Sequence, residues 1–238
     1  MGNFVYFTWT LPGIVAILLI FRERNGGRLQ AFGLWAMVAW IWASRSALTH
    51  IDAGIFPLLK ADVPFYAALA GSGLAAFLAY LWLVERRSFA SLDWRPATAV
   101  SQMVAGGGVL LATLLVCPAI VIAATGVGVN FAPHWDMVDV GFFFGVPLAG
   151  VVEEGLFRGV LLERLMASTT PGRAIVAQAA LFSLAHLGYF PLPGYAIFYV
   201  MLFVLGLVWG WTAHRFGLIA AAIAHGGLVL LTVPAALP

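Results

Sequence analysis

The sequence predicts an all-helical membrane protein, a bundle of about eight transmembrane helices. Of its 238 residues, 63% are hydrophobic and only 9% are charged, and the mean hydropathy is +0.99. Soluble domains contain about 45–50% apolar and about 25% charged residues, so this chain cannot enclose its apolar residues in a water-soluble core. Backbone exposed to lipid must satisfy its own hydrogen bonds, which favours helices. The composition therefore excludes a disordered chain, a secreted disulfide scaffold and a cytosolic enzyme.

Eight apolar stretches approach the length of about 20 residues that a helix needs to cross a bilayer. The sixth stretch is the shortest and has room to extend at either end. Together the eight spans occupy roughly 160 residues, which leaves no room for a second folded domain. We therefore expect one integral-membrane domain over residues 1–238. The predicted spans are 4–21, 29–48, 64–84, 99–124, 138–162, 174–187, 195–213 and 217–236.

The basic residues predict how the bundle is oriented. Cytoplasmic connections of membrane proteins are enriched in Lys and Arg, and here nine arginines fall in alternate connections while the opposite ones carry only Lys60. This places both termini outside the cytoplasm. The small size and the absence of a recognised eukaryotic targeting signal indicate a bacterial cytoplasmic membrane, and no basic run suggests nucleic acid. The nine arginines are Arg22, Arg24, Arg28, Arg86, Arg87, Arg95, Arg164, Arg173 and Arg215.

Five ionisable residues inside the spans are the candidate functional residues. Span five carries Glu153, Glu154 and Arg158, span six carries His186, and span eight carries His225. Charged groups at membrane depth are costly and usually functional. At 1.5 Å per residue, these positions lie roughly 12–18 Å from the same membrane face. The sequence therefore predicts one polar cluster that opens toward the cytoplasm.

The spacing within span five predicts different roles for the two carboxylates. Glu154 and Arg158 are four residues apart, so they share a helix face and can pair. Glu153 is rotated by about 100° from Glu154 and can act on water beside a histidine, as a general base does. Two alternatives stay open: a purely structural Glu154–Arg158 pair, and histidines that serve only as hydrogen-bonded packing residues.

Three motifs resemble those of the CPBP family, which contains CAAX proteases and bacteriocin-processing enzymes and is also called Abi. The first family motif, E-E-x-x-x-R, is matched by residues 153–158. The second, F-x-x-x-H, is matched from Phe182 to His186. His225 takes the histidine position of a later H-x-x-x-N or H-x-x-x-D motif. The resemblance covers the C-terminal half of the chain, and the eight-helix count also fits the family.

The resemblance implies a glutamic-type intramembrane endopeptidase that acts on a hydrophobic tail, a lipidated tail or a leader of another protein. Carried over, Glu153 and His186 would activate water, and His225 would donate to the oxyanion. Glu154 and Arg158 would organise the site. No cofactor is expected. Older descriptions of the family as metalloproteases leave zinc as an alternative, with Glu153, His186 and His225 as its ligands, although the chain lacks the H-E-x-x-H motif.

One position departs from the family pattern, because Val229 stands where the family has Asn or Asp. Valine cannot donate a hydrogen bond, and Thr232, almost two turns beyond His225, is too far along the helix to replace the missing donor. This departure favours an alternative function, a non-catalytic membrane protein that binds a peptide as an immunity factor or scaffold. A proton-coupled transporter is a third reading, but the sequence shows no inverted repeat and no paired broken helices.

Overall fold

The computed structural model describes residues 27, 33, 63–125, 138–186 and 196–236. The elements in these ranges are helices, with no strand among them, which confirms the all-helical fold class. The first two predicted spans lie outside the described residues, apart from Gly33. The long helices are α1 (Val63–Tyr80), α2 (Ala99–Thr125), α3 (Val138–Phe143 continuing to Leu162–Ser168), α4 (Pro171–Leu184), α5 (Ala196–Phe216) and α6 (Leu218–Ala236).

These six helices coincide with predicted spans three to eight, with shifts of a few residues at several boundaries. Helix α3 continues six residues past the predicted end at position 162, and α4 begins at Pro171 rather than at 174. Proline is favoured at the start of a helix because it has no N–H to leave unpaired there. The stretches Ala99–Ile120 and Ala196–Phe216 are long and apolar enough to cross a membrane. Eight membrane crossings remain a prediction.

Helix α3 departs from regular α-helical geometry over most of its length. The segments Phe144–Glu153 and Gly155–Leu161 have the wider hydrogen-bonding pattern of a π-helix, and Glu154 lies at their junction. The first segment contains Pro147, which cannot donate the backbone hydrogen bond that an α-helix needs. Stretches of π-helix often occur at functional sites. The sequence predicted a helix here, but its apolar pattern did not reveal the wider turns.

Glycines bring α3 and α6 into backbone contact. A methyl group at Gly226 would lie 2.5 Å from the Gly145 carbonyl oxygen and 3.1 Å from the Gly150 Cα atom. Membrane helices use such small residues to approach one another closely. Because Gly226 follows His225 directly, this contact also sets the distance between the His225 side chain and α3.

The segment between α1 and α2 closes one end of the bundle. The Gln102 carboxamide donates to the Trp94 and Arg95 carbonyl oxygens, and its own oxygen accepts from the Ile219 backbone N–H. The Arg95 guanidinium contacts the His214 and Arg215 carbonyl oxygens. Arg87 of the same segment also pairs with Glu163 of α3. The segment after α1 therefore meets the ends of α3 and α5 at the same end of the bundle.

We expect Gly226→Ala to destabilise the protein, because the added methyl group meets backbone atoms that cannot move aside. Overpacking of this kind costs about 1–3 kcal/mol. The measurement is equilibrium unfolding of the detergent-solubilised protein. Gly108→Ala is the matched control, since nothing lies within 4 Å of a methyl group there. Equal stability of the two variants would contradict the close α3–α6 contact.

Candidate active site

The five candidate residues are all buried. Their exposed fractions are 0% for Glu154, 1% for Glu153, 3% for His186 and His225, and 4% for Arg158. The two glutamates and the arginine lie on α3, His186 lies in the turn that ends α4, and His225 lies near the middle of α6. Burial of several ionisable side chains is stable only where they bind one another or other polar groups.

The Glu154 carboxylate joins two helices. Its Oε1 atom accepts a hydrogen bond from Arg158 Nη1 at 2.7 Å, and His225 Nδ1 lies 2.7 Å from the same oxygen. The i, i+4 pair that the sequence predicts is therefore present, with both side chains fully buried. The structure adds a partner that spacing did not predict, the imidazole of His225 on α6.

Glu153 faces the other nitrogen of the same imidazole. Its Oε2 atom lies 3.9 Å from His225 Nε2, which is too long for a direct hydrogen bond. A water molecule or a reacting group can bridge polar atoms at such a separation. His225 thus lies between two carboxylates, one bound directly and one across a short gap. The family resemblance instead pairs Glu153 with His186 in activating water.

His186 is oriented by its own helix. Its Nδ1 atom lies 2.7 Å from the Phe182 carbonyl oxygen, and a carbonyl oxygen can only accept a hydrogen bond. Nδ1 therefore carries the proton, and a neutral His186 keeps a lone pair on Nε2. The Phe182 ring packs 4.5 Å from the His186 ring and 5.5 Å from the His225 ring, between centroids. The second motif thus places one phenylalanine against both histidines.

The structure adds Trp209 of α5 to the site. Its ring stacks on the His225 imidazole, with centroids 4.0 Å apart and planes 20° from parallel. The Arg158 guanidinium lies over the Phe182 ring at 4.4 Å and over the Trp209 ring at 5.5 Å. Sequence reasoning missed Trp209 because it is one of nine tryptophans. The one available signal was its position between two glycines, Gly206 and Gly210.

A cavity of about 440 Å³ lies at the arginine-bearing end of the bundle, and Arg158 is among its lining residues. Gly159 and Leu218 line it beside Arg158, and Arg87 and Arg95 line it from the segment that closes this end. The cavity therefore connects the outside of the bundle with the edge of the buried cluster. It lies on the side that the sequence predicts to be cytoplasmic.

Among the described residues, no group of three or more His, Cys, Asp or Glu side chains is arranged to hold a metal ion. Zinc needs three or four such ligands at about 2.0–2.3 Å. The zinc alternative, with Glu153, His186 and His225 as its ligands, stays a prediction.

A buried cluster of carboxylates, imidazoles and a guanidinium inside apolar helices is typical of intramembrane acid–base sites. Residues 135–231 match the family described as "Type II CAAX prenyl endopeptidase Rce1-like". This match agrees with the resemblance to CAAX proteases that the motifs predict, and the matched region contains all five candidate residues. No curated protein and no solved structure gives a significant match to the chain.

We expect Arg158→Met to destabilise the protein by about 3–5 kcal/mol, because it leaves the buried Glu154 carboxylate without its cation. The free energy of unfolding in detergent measures this cost. Glu163→Gln is the control, since it removes an exposed pair with Arg87 that is worth about 0–1 kcal/mol. If Arg158→Met costs no more than Glu163→Gln, the buried pair does not hold the site together.

Proposed function

We propose that the protein is a multi-pass intramembrane endopeptidase of the glutamic type. It hydrolyses a peptide bond in a membrane-associated protein or peptide with a water molecule activated by Glu153. The observation that carries the proposal is the pair of atoms Glu153 Oε2 and His225 Nε2, 3.9 Å apart in a buried site. The family match supports it, because the matched family is one of proteases.

The proposed mechanism uses His225 as an imidazolium, with a proton on both ring nitrogens. Together with an ionised Glu153, Glu154 and Arg158, the four side chains then carry no net charge as a group. The imidazolium then donates from Nδ1 to Glu154 and keeps a second N–H on Nε2, on the side where Glu153 lies.

The hydrolysis follows from these positions. The Glu153 carboxylate accepts a proton from water while the water oxygen attacks the scissile carbonyl carbon. The Nε2–H of His225 donates to the oxygen that becomes negative, as an oxyanion donor does. The C–N bond then breaks, and the proton from Glu153 passes to the leaving amine. The new carboxylic acid gives its proton to that amine, so the products are a carboxylate and an ammonium group. His186, whose Nδ1–H is directed at the Phe182 carbonyl oxygen, assists Glu153 in accepting the proton, as the family resemblance implies.

Glu154 and Arg158 act on the orientation of His225 rather than on the substrate. A carboxylate that binds one imidazole nitrogen fixes the ring and stabilises its charged form, as in a catalytic triad. Arg158 in turn donates to the same Glu154 oxygen and holds the carboxylate in place. This assignment gives the second glutamate and the arginine of the first motif one shared task.

The proposed substrate is a hydrophobic or lipidated tail, or a leader, that reaches the site from the membrane. Helix α2 supports contact with lipid, because it exposes Val100, Val104, Leu111 and Leu115. The cavity beside Arg158 lies at the end that we assign to the cytoplasm of a bacterial cell, with both termini on the opposite side. A polar chain end can occupy the cavity while the apolar part stays in the bilayer.

A non-catalytic peptide-binding protein is the second candidate, favoured by Val229. This residue packs against the apolar core and offers no donor. The Thr232 hydroxyl donates to the Leu228 carbonyl oxygen at 2.7 Å, so it is engaged within its own helix. In the catalytic reading, the Nε2–H of His225 must therefore act without the second donor that the family motif supplies.

We expect Glu153→Gln to abolish peptide cleavage, because an amide cannot accept the proton of water, while the fold and peptide binding are retained. The measurement is mass spectrometry of membrane-protein termini, with cells expressing wild type or variant at equal levels. Glu163→Gln is the matched control, since Glu163 is an exposed carboxylate on the same helix.

Loss of specific termini in Glu153→Gln alone supports the protease and identifies its substrate. Unchanged termini in both variants, with folded and abundant protein, would contradict the protease and favour the peptide-binding protein.

A further inference from the structure

We propose that Trp209 is a positioning residue that fixes the plane of the His225 imidazole during hydrolysis. This inference rests on the proposed function. Trp209 belongs to none of the three motifs, and it contributes no acid, base or hydrogen bond to the reaction. Its effect is exerted through the ring face of His225.

The His225 ring is held at three places. The Nδ1 atom is bound to Glu154, one ring face lies on Trp209, and the edge-to-face contact with Phe182 has an interplanar angle of 84°. The Nδ1 contact by itself holds one atom and leaves the ring free to tilt about that point. The stack with Trp209 removes this tilt, so that Nε2 stays directed toward the gap beside Glu153.

Trp209 is held rigidly by packing. It is the largest fully buried side chain among the described residues, with 1% of its surface exposed. A methyl group at Gly206 would lie 3.0 Å from the Ala179 Cα atom, and one at Gly210 would lie 2.8 Å from the Gln178 carboxamide oxygen. Helix α5 therefore lies directly against α4 on both sides of Trp209, and the indole has no room to shift.

The ring face of Trp209, rather than its indole N–H, makes the contacts that matter for the site. The Trp209 Nε1 atom is buried and has no hydrogen-bond partner in the described part of the chain. An unpaired buried donor is a cost, which a phenylalanine or leucine would avoid. The large flat face compensates for it, because it covers His225 and also lies near the Arg158 guanidinium. Electron-rich rings attract cations of this kind.

The test compares three variants. We expect Trp209→Leu to lower kcat by about tenfold to a hundredfold, the range that misplacement of a catalytic group produces, with KM nearly unchanged. Trp209→Phe retains a flat ring and restores most of kcat. Trp211→Leu is the matched control, because Trp211 lies two residues away on the same helix and is 51% exposed. It leaves both constants unchanged.

A second readout needs no activity. In protein with isotope-labelled histidine, the ring protons of His225, assigned with His225→Gln, carry an upfield shift from the tryptophan face. We expect this shift to be lost in Trp209→Leu and partly kept in Trp209→Phe. Wild-type kcat in Trp209→Leu, or an unchanged His225 signal, would overturn the positioning role. Absence of Glu153-dependent cleavage in wild type would instead overturn the proposed function. The upfield shift of the His225 ring protons would then test only whether Trp209 stacks on His225.

Discussion

The Glu154 carboxylate, shared between Arg158 and His225, is the interaction on which the rest of the site depends. One oxygen atom receives both partners at 2.7 Å, so α3 and α6 are joined at the depth where the charged residues lie. Without Arg158 the carboxylate would be a buried charge with a single partner, and without His225 it would not reach the second helix. The position of His225 beside Glu153 follows from this bond.

The fold supplies the close approach that this bond requires. Gly145 and Gly150 on α3 meet Gly226 on α6 through their backbones, directly beside His225. The two π-helical segments of α3 widen its turns on either side of Glu154. Aromatic rings then fill the space between helices, where they hold the imidazole without adding charge. The glycines thus set the distance between α3 and α6, and the aromatic rings set the orientation of the His225 imidazole.

The sequence predicted where helices and local side-chain pairs lie along the chain better than it predicted contacts between helices. Apolar length identified the six described helices, and i, i+4 spacing predicted the Glu154–Arg158 pair, because both depend on local geometry. The bond from His225 to Glu154 and the stack on Trp209 were missed, since they depend on how helices rotate against one another. The π-helical turns were missed because this segment is apolar on nearly every side and its sequence gives no clear period. Eight crossings, the zinc alternative and the role of each site residue stay predictions.

The infrared spectrum of the Glu154 carboxyl group tests the central claim most directly. Subtraction of the Glu154→Gln spectrum from that of the wild-type protein isolates this one group among the ten acidic residues. We predict that the difference contains an ionised carboxylate band, because Arg158 and His225 both donate to Glu154. The band should persist in Glu153→Gln. A protonated carboxyl band in its place would contradict the account, since a neutral Glu154 could not organise His225 as described.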